Sequence, residues 1–379
     1  MPRRRISVLA LGFVTAILAA LPMLAMAADH SFISRFHNIS TIASTVPANG
    51  DINPYGIAVI PHSVGRLTRG HVLISNFNAA SNFQGTGTTI VDIAPNGEHH
   101  VFAQISNSDL NGPCPGGVGL TTALVVLQRG WVIVGSLPTS DGTSATAQAG
   151  CLIVLNSAGK VAETFAGHGV NGPWDAAVRD RGNEATLFVT NVLNGTVAAN
   201  GNVEHHGTVL RIKLGVPDAE NGPVGEKPWI MSRTIVGSGF AERTDPAALV
   251  IGPTGLGIGN DESVFVADSL NNRITVLPNA FDRMNSAGTG DTLFKGGALN
   301  DPLGLTVGPD QHILVVNGND GKLIEINRSG EQVAVTQLDN TVIPGSDNGA
   351  GTLFGLVVAP YNQGVYFVDD GTNTLNLLH

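Results

Sequence analysis

The sequence predicts an all-β fold, a six-bladed β-propeller of four-stranded antiparallel blades, on three observations. The first is a pattern that returns six times: a small-residue apolar run, a β-branched run ending in Asn, Asp or Ser, then a third apolar run. Its clearest copy is GPTGLGIGNDESVFVADSLNNRITVLP, from Gly252 to Pro278. A unit of three or four short strands cannot bury both faces alone, so repetition implies blades packed around an axis. The second is composition: 48 Gly and 20 Pro are spread along 379 residues of which only 13% are charged, as many short strands and tight turns require. The third is period: beyond the first thirty residues the apolar segments are short and rich in Val, Ile, Leu and Thr, without long helical periodicity.

The N-terminus supplies the domain boundary. Residues 1–27 read as a secretory signal peptide, with Arg3, Arg4 and Arg5 before an apolar stretch and Ala25-Met26-Ala27 as a small-residue cleavage box. Residues 28–379 are then a single propeller domain, exported to the periplasm or outside the cell. Removal of the leader makes the formal charge of −10 more negative by a further three. Such a surface repels nucleic acid and anionic lipid, so neither nucleic-acid binding nor membrane insertion of the mature chain is expected. A monomer is expected. The two cysteines, Cys114 and Cys151, fall in one repeat unit, and in an oxidising compartment they are expected to pair.

Each unit opens on an inner strand: NPYGIAV at Asn53, GGVGLTTALVV at Gly116, GPWDAAV at Gly172, GPTGLGI at Gly252, DPLGLTV at Asp301 and TLFGLVV at Thr352. The second strands are HVLISN, GWVIVGS, TLFVTN, SVFVADS, HILVVN and GVYFVDD, each followed by a turn and a third strand. Five units continue into a fourth apolar stretch, among them His99 to Ile105, Lys160 to Gly167 and Glu331 to Leu338. The sixth stops at His379, while an unpartnered strand-like stretch, FISRFHNISTIAS, precedes the first unit. That stretch, within residues 28–50, is expected to close the ring as the outer strand of the last blade.

The segment VFVADSLNNRITVL with its preceding GPTGLGI resembles an NHL repeat, and the array resembles secreted bacterial six-bladed NHL-type propellers over roughly residues 32–379. Related propellers include lactonases, lyases, strictosidine-synthase-like enzymes and plain binding modules, so the resemblance implies the fold rather than one activity. The calcium-dependent lactonases among them imply a mouth ringed by Asn, Asp and Glu, and the amidating lyases a His there. The corresponding positions here, Tyr55, Val118, Trp174, Thr254, Leu303 and Phe354, are mostly apolar or aromatic.

Candidate site residues are those that break the repeat. Asp175 stands where other units have Gly, and reads as a ligand anchor or as a carboxylate bonded to neighbouring backbone amides. Tyr55, Trp174, Phe354 and Trp229 are candidates for an aromatic contact surface at the mouth, or for packing between blades. Trp229 lies in the longest stretch without a strand pattern, residues 219–248, where specificity would be built. Glu204, His205 and His206, in a long turn of the third unit, are a candidate zinc or copper site. The second-strand ends Asn76, Ser136, Asn191, Asp268, Asn317 and Asp369 would form an oxygen ring around the axis, but at strand ends such residues bond their own turns. There is no G-x-S-x-G elbow, phosphate loop or paired-cysteine knuckle.

The leading expectation is an exported binding or interaction propeller that recognises a protein or small-molecule ligand through loops at one channel mouth. The alternative is a lactonase-like hydrolase or lyase dependent on a divalent cation, calcium or zinc. No catalytic residue is assigned by either.

Overall fold

Small residues, β-branched runs and turn glycines do produce six blades. The computed structural model describes residues 1–2, 30–219, 225–246, 248–342 and 347–379. The export leader expected over residues 1–27 lies, apart from its first two residues, outside the described residues. Residues 31–379 form one compact unit. Among the described residues, no helix is long and apolar enough to cross a membrane.

Blade 1 comprises Ile52–Val59, Val72–Asn78, Thr89–Ile93 and His99–Gln104, from the axis outwards. Blade 2 comprises Leu120–Val126, Val132–Ser136, Leu152–Leu155 and Val161–Phe165. Blade 3 has Pro173–Asp180, Glu184–Asn191, Glu204–Gly215 and Trp229–Asp245, with Leu249–Ile251 added as a fifth strand. Blade 4 has Pro253–Ile258, Val264–Asp268, Arg273–Leu277 and Asp291–Lys295, and blade 5 has Pro302–Val307, Ile313–Asn317, Lys322–Ile326 and Gln332–Gln337. Blade 6 takes Leu353–Val358, Val365–Asp369 and Thr374–Leu378 from one end of the chain and Ile39–Ser44 from the other. The closing strand runs antiparallel to the last one, with Ile39 opposite Leu378 and Ser44 opposite Thr374. The expected closure is therefore what the fold uses, and the inner strands of neighbouring blades pack on one another all the way round.

Segment 219–248 differs from its expectation of irregular structure. Trp229–Asp245 is a strand of 17 residues, paired with Glu204–Gly215 through Phe240 and beyond. Its register shifts at several points, and these bulges erase the alternation by which a strand is read from sequence. The strand then turns over the ring, where Arg243, Thr244 and Asp245 pair with Ile251, Val250 and Leu249. Residues 220–224 and 247 lie outside the described residues.

Cys114 and Cys151 are disulfide-bonded, tying the loop ahead of blade 2's inner strand to the start of its third strand.

One position on the third strands alternates in character around the ring. The residue opposite Leu73, Phe188 or Leu314 in blades 1, 3 and 5 is Asp92, Arg211 or Glu325, all buried. In blades 2, 4 and 6 the same position holds Val154, Val276 and Leu377. Each buried charged group fixes an irregular segment. Asp92 Oδ1 is 2.9 Å from His71 Nδ1. Arg211 donates to the carbonyls of Ala280 and Arg283 and to Thr234 Oγ1. Glu325 accepts from the backbone N–H groups of Phe32 and Ile33, from Ser31 Oγ and from His312 Nδ1, at 2.6–2.9 Å. The segment leading to the closing strand is thus gripped by blade 5 before it completes blade 6.

Candidate ligand site

Inner strands begin on one face of the ring, called here the upper face, and end on the lower one. At the upper face the aromatic positions do not form an open mouth. Tyr55 stacks between Phe77 and Phe354, with ring centroids 4.5 Å and 3.8 Å apart. Trp174, Leu303, Leu249, Val250 and Ile251 join them in one contiguous buried cluster drawn from several blades. The axis is plugged with apolar side chains at this end. Burial, aided by the Asp370 charge, holds the Tyr55 phenol well above its ordinary pKa. Tyr55, Trp174 and Phe354 therefore meet as packing; Trp229 is outside that cluster, 55% exposed and paired with Gly215 on the ring's outer strand.

Beside the plug lies a basin of about 590 Å³ between the ends of blades 3 to 6. Its floor includes Ile251, Leu270, Leu303 and Phe354, and its walls carry Asn272, Asn300, Asn319, Arg243, Asp245 and Asp301. The loops place these groups by a repeated device. Asn272, left-handed at φ 49°, accepts the Asp301 backbone N–H on Oδ1 at 2.7 Å; Asn373, at φ 53°, does the same for Asn53 of blade 1 at 2.8 Å. Asp301 and Asn53 are themselves left-handed, at 58° and 59°. Asn and Asp tolerate that region better than other side-chain-bearing residues, which is why they recur here.

Asp301 is the chemically distinctive member. Burial pushes its carboxyl up to about 7, with the Asp245 charge adding to the shift and Arg243 opposing it. No hydrogen bond from the described residues reaches its carboxylate, whereas Arg243 Nη2 sits 2.9 Å from Asp245 Oδ2. A Cβ at Gly318 would lie 3.0 Å from Asp301 Oδ2, so the absence of a side chain there leaves the carboxyl its room. Nearby on the same face, burial and the charge of Asp369 push Asp370 up to about 8. A titratable group near neutrality next to a guanidinium, over an apolar floor, is the arrangement expected of a small-molecule site.

Asp175 is elsewhere, below the plug. In structural register it matches Gly56, Gly255, Gly304 and Gly355, while blade 2 carries an extra residue and has Ala123 at that place. Those glycines bring blades into backbone contact: a Cβ at Gly304 would lie 1.8 Å from the Phe354 carbonyl oxygen. Asp175 instead bridges to blade 4, Oδ2 accepting the Leu256 N–H at 2.9 Å and Oδ1 its neighbour Ala176's at 2.8 Å. Burial outweighs these bonds and raises its pKa to about 7.

The Glu204-His205-His206 group lies at the start of a strand rather than in a turn. Glu204 pairs across the sheet with the buried Glu242, whose carboxyl is pushed up to about 7 chiefly by burial. His206 Nδ1 is 3.7 Å from Glu204 Oε2 and 3.2 Å from the Asn194 carbonyl oxygen; adjacent strand residues point to opposite faces, so His205 turns away from it. The donor set that does converge among the described residues is Asp310, His312 and Glu325, with ligand atoms within 4.8 Å of one another. Both Glu325 oxygens already serve the N-terminal segment. The second-strand ends act as turn anchors: Asn317 donates to the Ala298 carbonyl and to Asp320, Asp268 binds Asn271 and Arg273, and Asp369 accepts from Thr372 N–H.

No protein-family profile matches the sequence, and no curated protein matches it. Solved structures do match the fold. A gluconolactonase from Xanthomonas campestris superposes with a TM-score of 0.52 at 11% identity, over 89% of this chain and 88% of that one. Regucalcin, a calcium-binding protein from Agrobacterium tumefaciens, gives 0.51 at 13% identity over 90% and 93%. A luciferin-regenerating enzyme gives 0.50 at 10% over 90% and 94%. At such identities the likeness is one of fold: the chain is a six-bladed β-propeller with structural neighbours among the gluconolactonase and regucalcin propellers.

Proposed function

We propose that this chain is an exported ligand-binding propeller that holds a small hydroxyl-bearing organic acid, or its lactone, in the upper-face basin. The observation that carries the reading is the pairing of an unbonded, half-buried carboxyl, Asp301, with the Arg243 guanidinium in one pocket over an apolar floor. Arg243 would receive the ligand's carboxylate or carbonyl, and Asp301 with the amides of Asn300 and Asn319 would receive its hydroxyls. The disulfide supports export, because such bonds persist in oxidising compartments.

A second reading, hydrolysis or elimination on that ligand, is favoured by the Asp301 carboxyl near 7, the range in which a group both takes and returns protons. With Asp245 engaged by Arg243 and Asn272 Oδ1 by a backbone N–H, a calcium ion here would draw on Asp301, the amide oxygens of Asn300 and Asn319, and water. The test is calorimetric titration with gluconate, together with glucono-lactone turnover with and without added calcium. Binding that disappears in Arg243→Ala and loses its pH dependence in Asp301→Asn supports the site. Absence of gluconate and lactone binding by the wild-type protein removes it. Turnover above the spontaneous rate, lost in Asp301→Asn, selects the enzyme reading.

A further inference from the structure

An open groove of about 590 Å³ lies on the lower face, between blade 6, which closes the ring, and blade 1. Its surface is mostly apolar. Val59 and Val358 end the inner strands of the two blades, and with Leu377 they are only half-buried, so hydrocarbon stays open to solvent here. Pro61, Pro95 and Pro360 give the walls flat, rigid faces that lose no rotamer freedom when a ligand covers them. On the rim stands Tyr361, 81% exposed and held at φ 59°, a left-handed conformation that is costly for a bulky residue. Two polar side chains of the groove lack partners. Tyr366, on the blade 6 side, is 5% exposed, and nothing among the described residues hydrogen-bonds its hydroxyl. Burial holds this phenol above its ordinary pKa, so it is neutral and can donate or accept. Arg69, on the blade 1 side, is exposed in a loop pinned by the Gly70 N–H on the Ile60 carbonyl at 2.9 Å. No carboxylate among the described residues pairs with its guanidinium, although that side chain lines the groove.

We propose that this groove binds a hydroxylated aromatic carboxylate, its ring between the proline faces and Tyr361, its hydroxyl on Tyr366 and its carboxylate on Arg69. The two polar contacts are made by opposite ends of the ligand, one in the depth and one at the rim. Their assignment follows from solvation. A carboxylate beside Tyr366 would be desolvated without a counter-charge, whereas at Arg69 it keeps water and gains charge-assisted hydrogen bonds. A ring without a hydroxyl would leave the Tyr366 phenol unpaired, and a neutral phenol would forgo Arg69. Tyr361 and the prolines supply the flat apolar contact that an aromatic body needs. The groove shares no residue with the upper-face basin, so the two sites stand or fall separately.

The experiment titrates the purified protein at pH 7 with 4-hydroxycinnamate, with cinnamate, which lacks the ring hydroxyl, and with methyl 4-hydroxycinnamate, which lacks the charge. Calorimetry is expected to rank 4-hydroxycinnamate above each of the others by about threefold to tenfold. Tyr366→Phe keeps the shape of the groove and removes no internal hydrogen bond, so it should fold normally. It is expected to abolish the preference over cinnamate and keep the preference over the ester. Arg69→Gln is expected to do the reverse, and Tyr361→Ala to weaken all three ligands alike. Arg243→Ala should leave 4-hydroxycinnamate binding unchanged, because that residue belongs to the basin. The proposal is overturned by a wild-type protein that binds none of the three, by equal affinity for all of them, or by preferences that survive in Tyr366→Phe and Arg69→Gln. Loss of binding in Arg243→Ala would place the ligand in the basin and also overturn it. So would a dimer in sedimentation that Tyr361→Ala dissolves, since the groove would then be covered by a second copy of the chain.

Discussion

Asp175 illustrates how one side chain can replace a contact between blades. Where Gly355 lets blade 6 touch the Tyr55 carbonyl, with only 2.3 Å available to a Cβ, Asp175 spans a wider gap by hydrogen bonds. Gly355→Ala should therefore force blades 6 and 1 apart and cost about 1–3 kcal/mol or more, visible as a lower denaturant midpoint. The buried acids give a pH signature of known sign. Asp175, Asp301 and Glu242 rise to about 7 and Asp370 to about 8, above their unfolded values near 4. Between roughly pH 4 and pH 7–8 the native state holds more protons than the unfolded one, so stability is greatest at the acid end of that window and falls as pH rises through it. Chemical denaturation at pH 5 and pH 8 checks this, with Asp175→Asn costing more at pH 5, where the native carboxyl is neutral, than at pH 8. Asp175 was legible because it breaks a visible repeat. Asp301 was not, since Asp before Pro reads as an ordinary turn, and its significance depends on Arg243 and Asp245 brought over the ring from another blade.

At the scale of elements, regular alternation was readable and its interruptions were not. The strands of blades 4 and 5 follow their apolar runs closely, whereas Trp229–Asp245 contains Gly237, Gly239 and several register shifts and read as a loop. Glu325 shows the opposite limit. In KLIEI it sits between two buried residues and reads as the solvent side of a strand, yet it is itself fully buried. The signal lay in its partner, His312, which starts the preceding strand as His71 does opposite Asp92. Removing the carboxylate deprives two backbone N–H groups of their acceptor and His312 of its shorter ion pair. Glu325→Ala is expected to cost roughly 3–5 kcal/mol, by analogy with other broken buried pairs. Hydrogen exchange checks where the damage falls: protection should be lost first at residues 32–36 and 39–44, and equal loss over all blades would contradict the latch.

The whole molecule is held at its seam by two unlike devices, an ionic grip in blade 5 and a shared sheet in blade 6. Deleting residues 32–44 removes both, and a large drop in the thermal midpoint is expected; an unchanged midpoint would show that the ring does not depend on closure. The Cys114–Cys151 bond spans 37 residues within blade 2. The loop-entropy relation assigns a crosslink of that span about 4 kcal/mol, so the double Ser variant should unfold at distinctly lower denaturant while retaining its β-sheet circular dichroism.

The closing sheet also sets a timetable. Ser40 and His379, hydrogen-bonded in the finished ring, are 339 residues apart along the chain. At ribosomal speeds of about 5–20 residues per second, the closing strand waits roughly 20–70 s for its partner. Throughout that interval blades 1 to 5 can assemble but the ring cannot shut, and the edge of Ile39–Ser44 stays open to any other chain with a strand to offer.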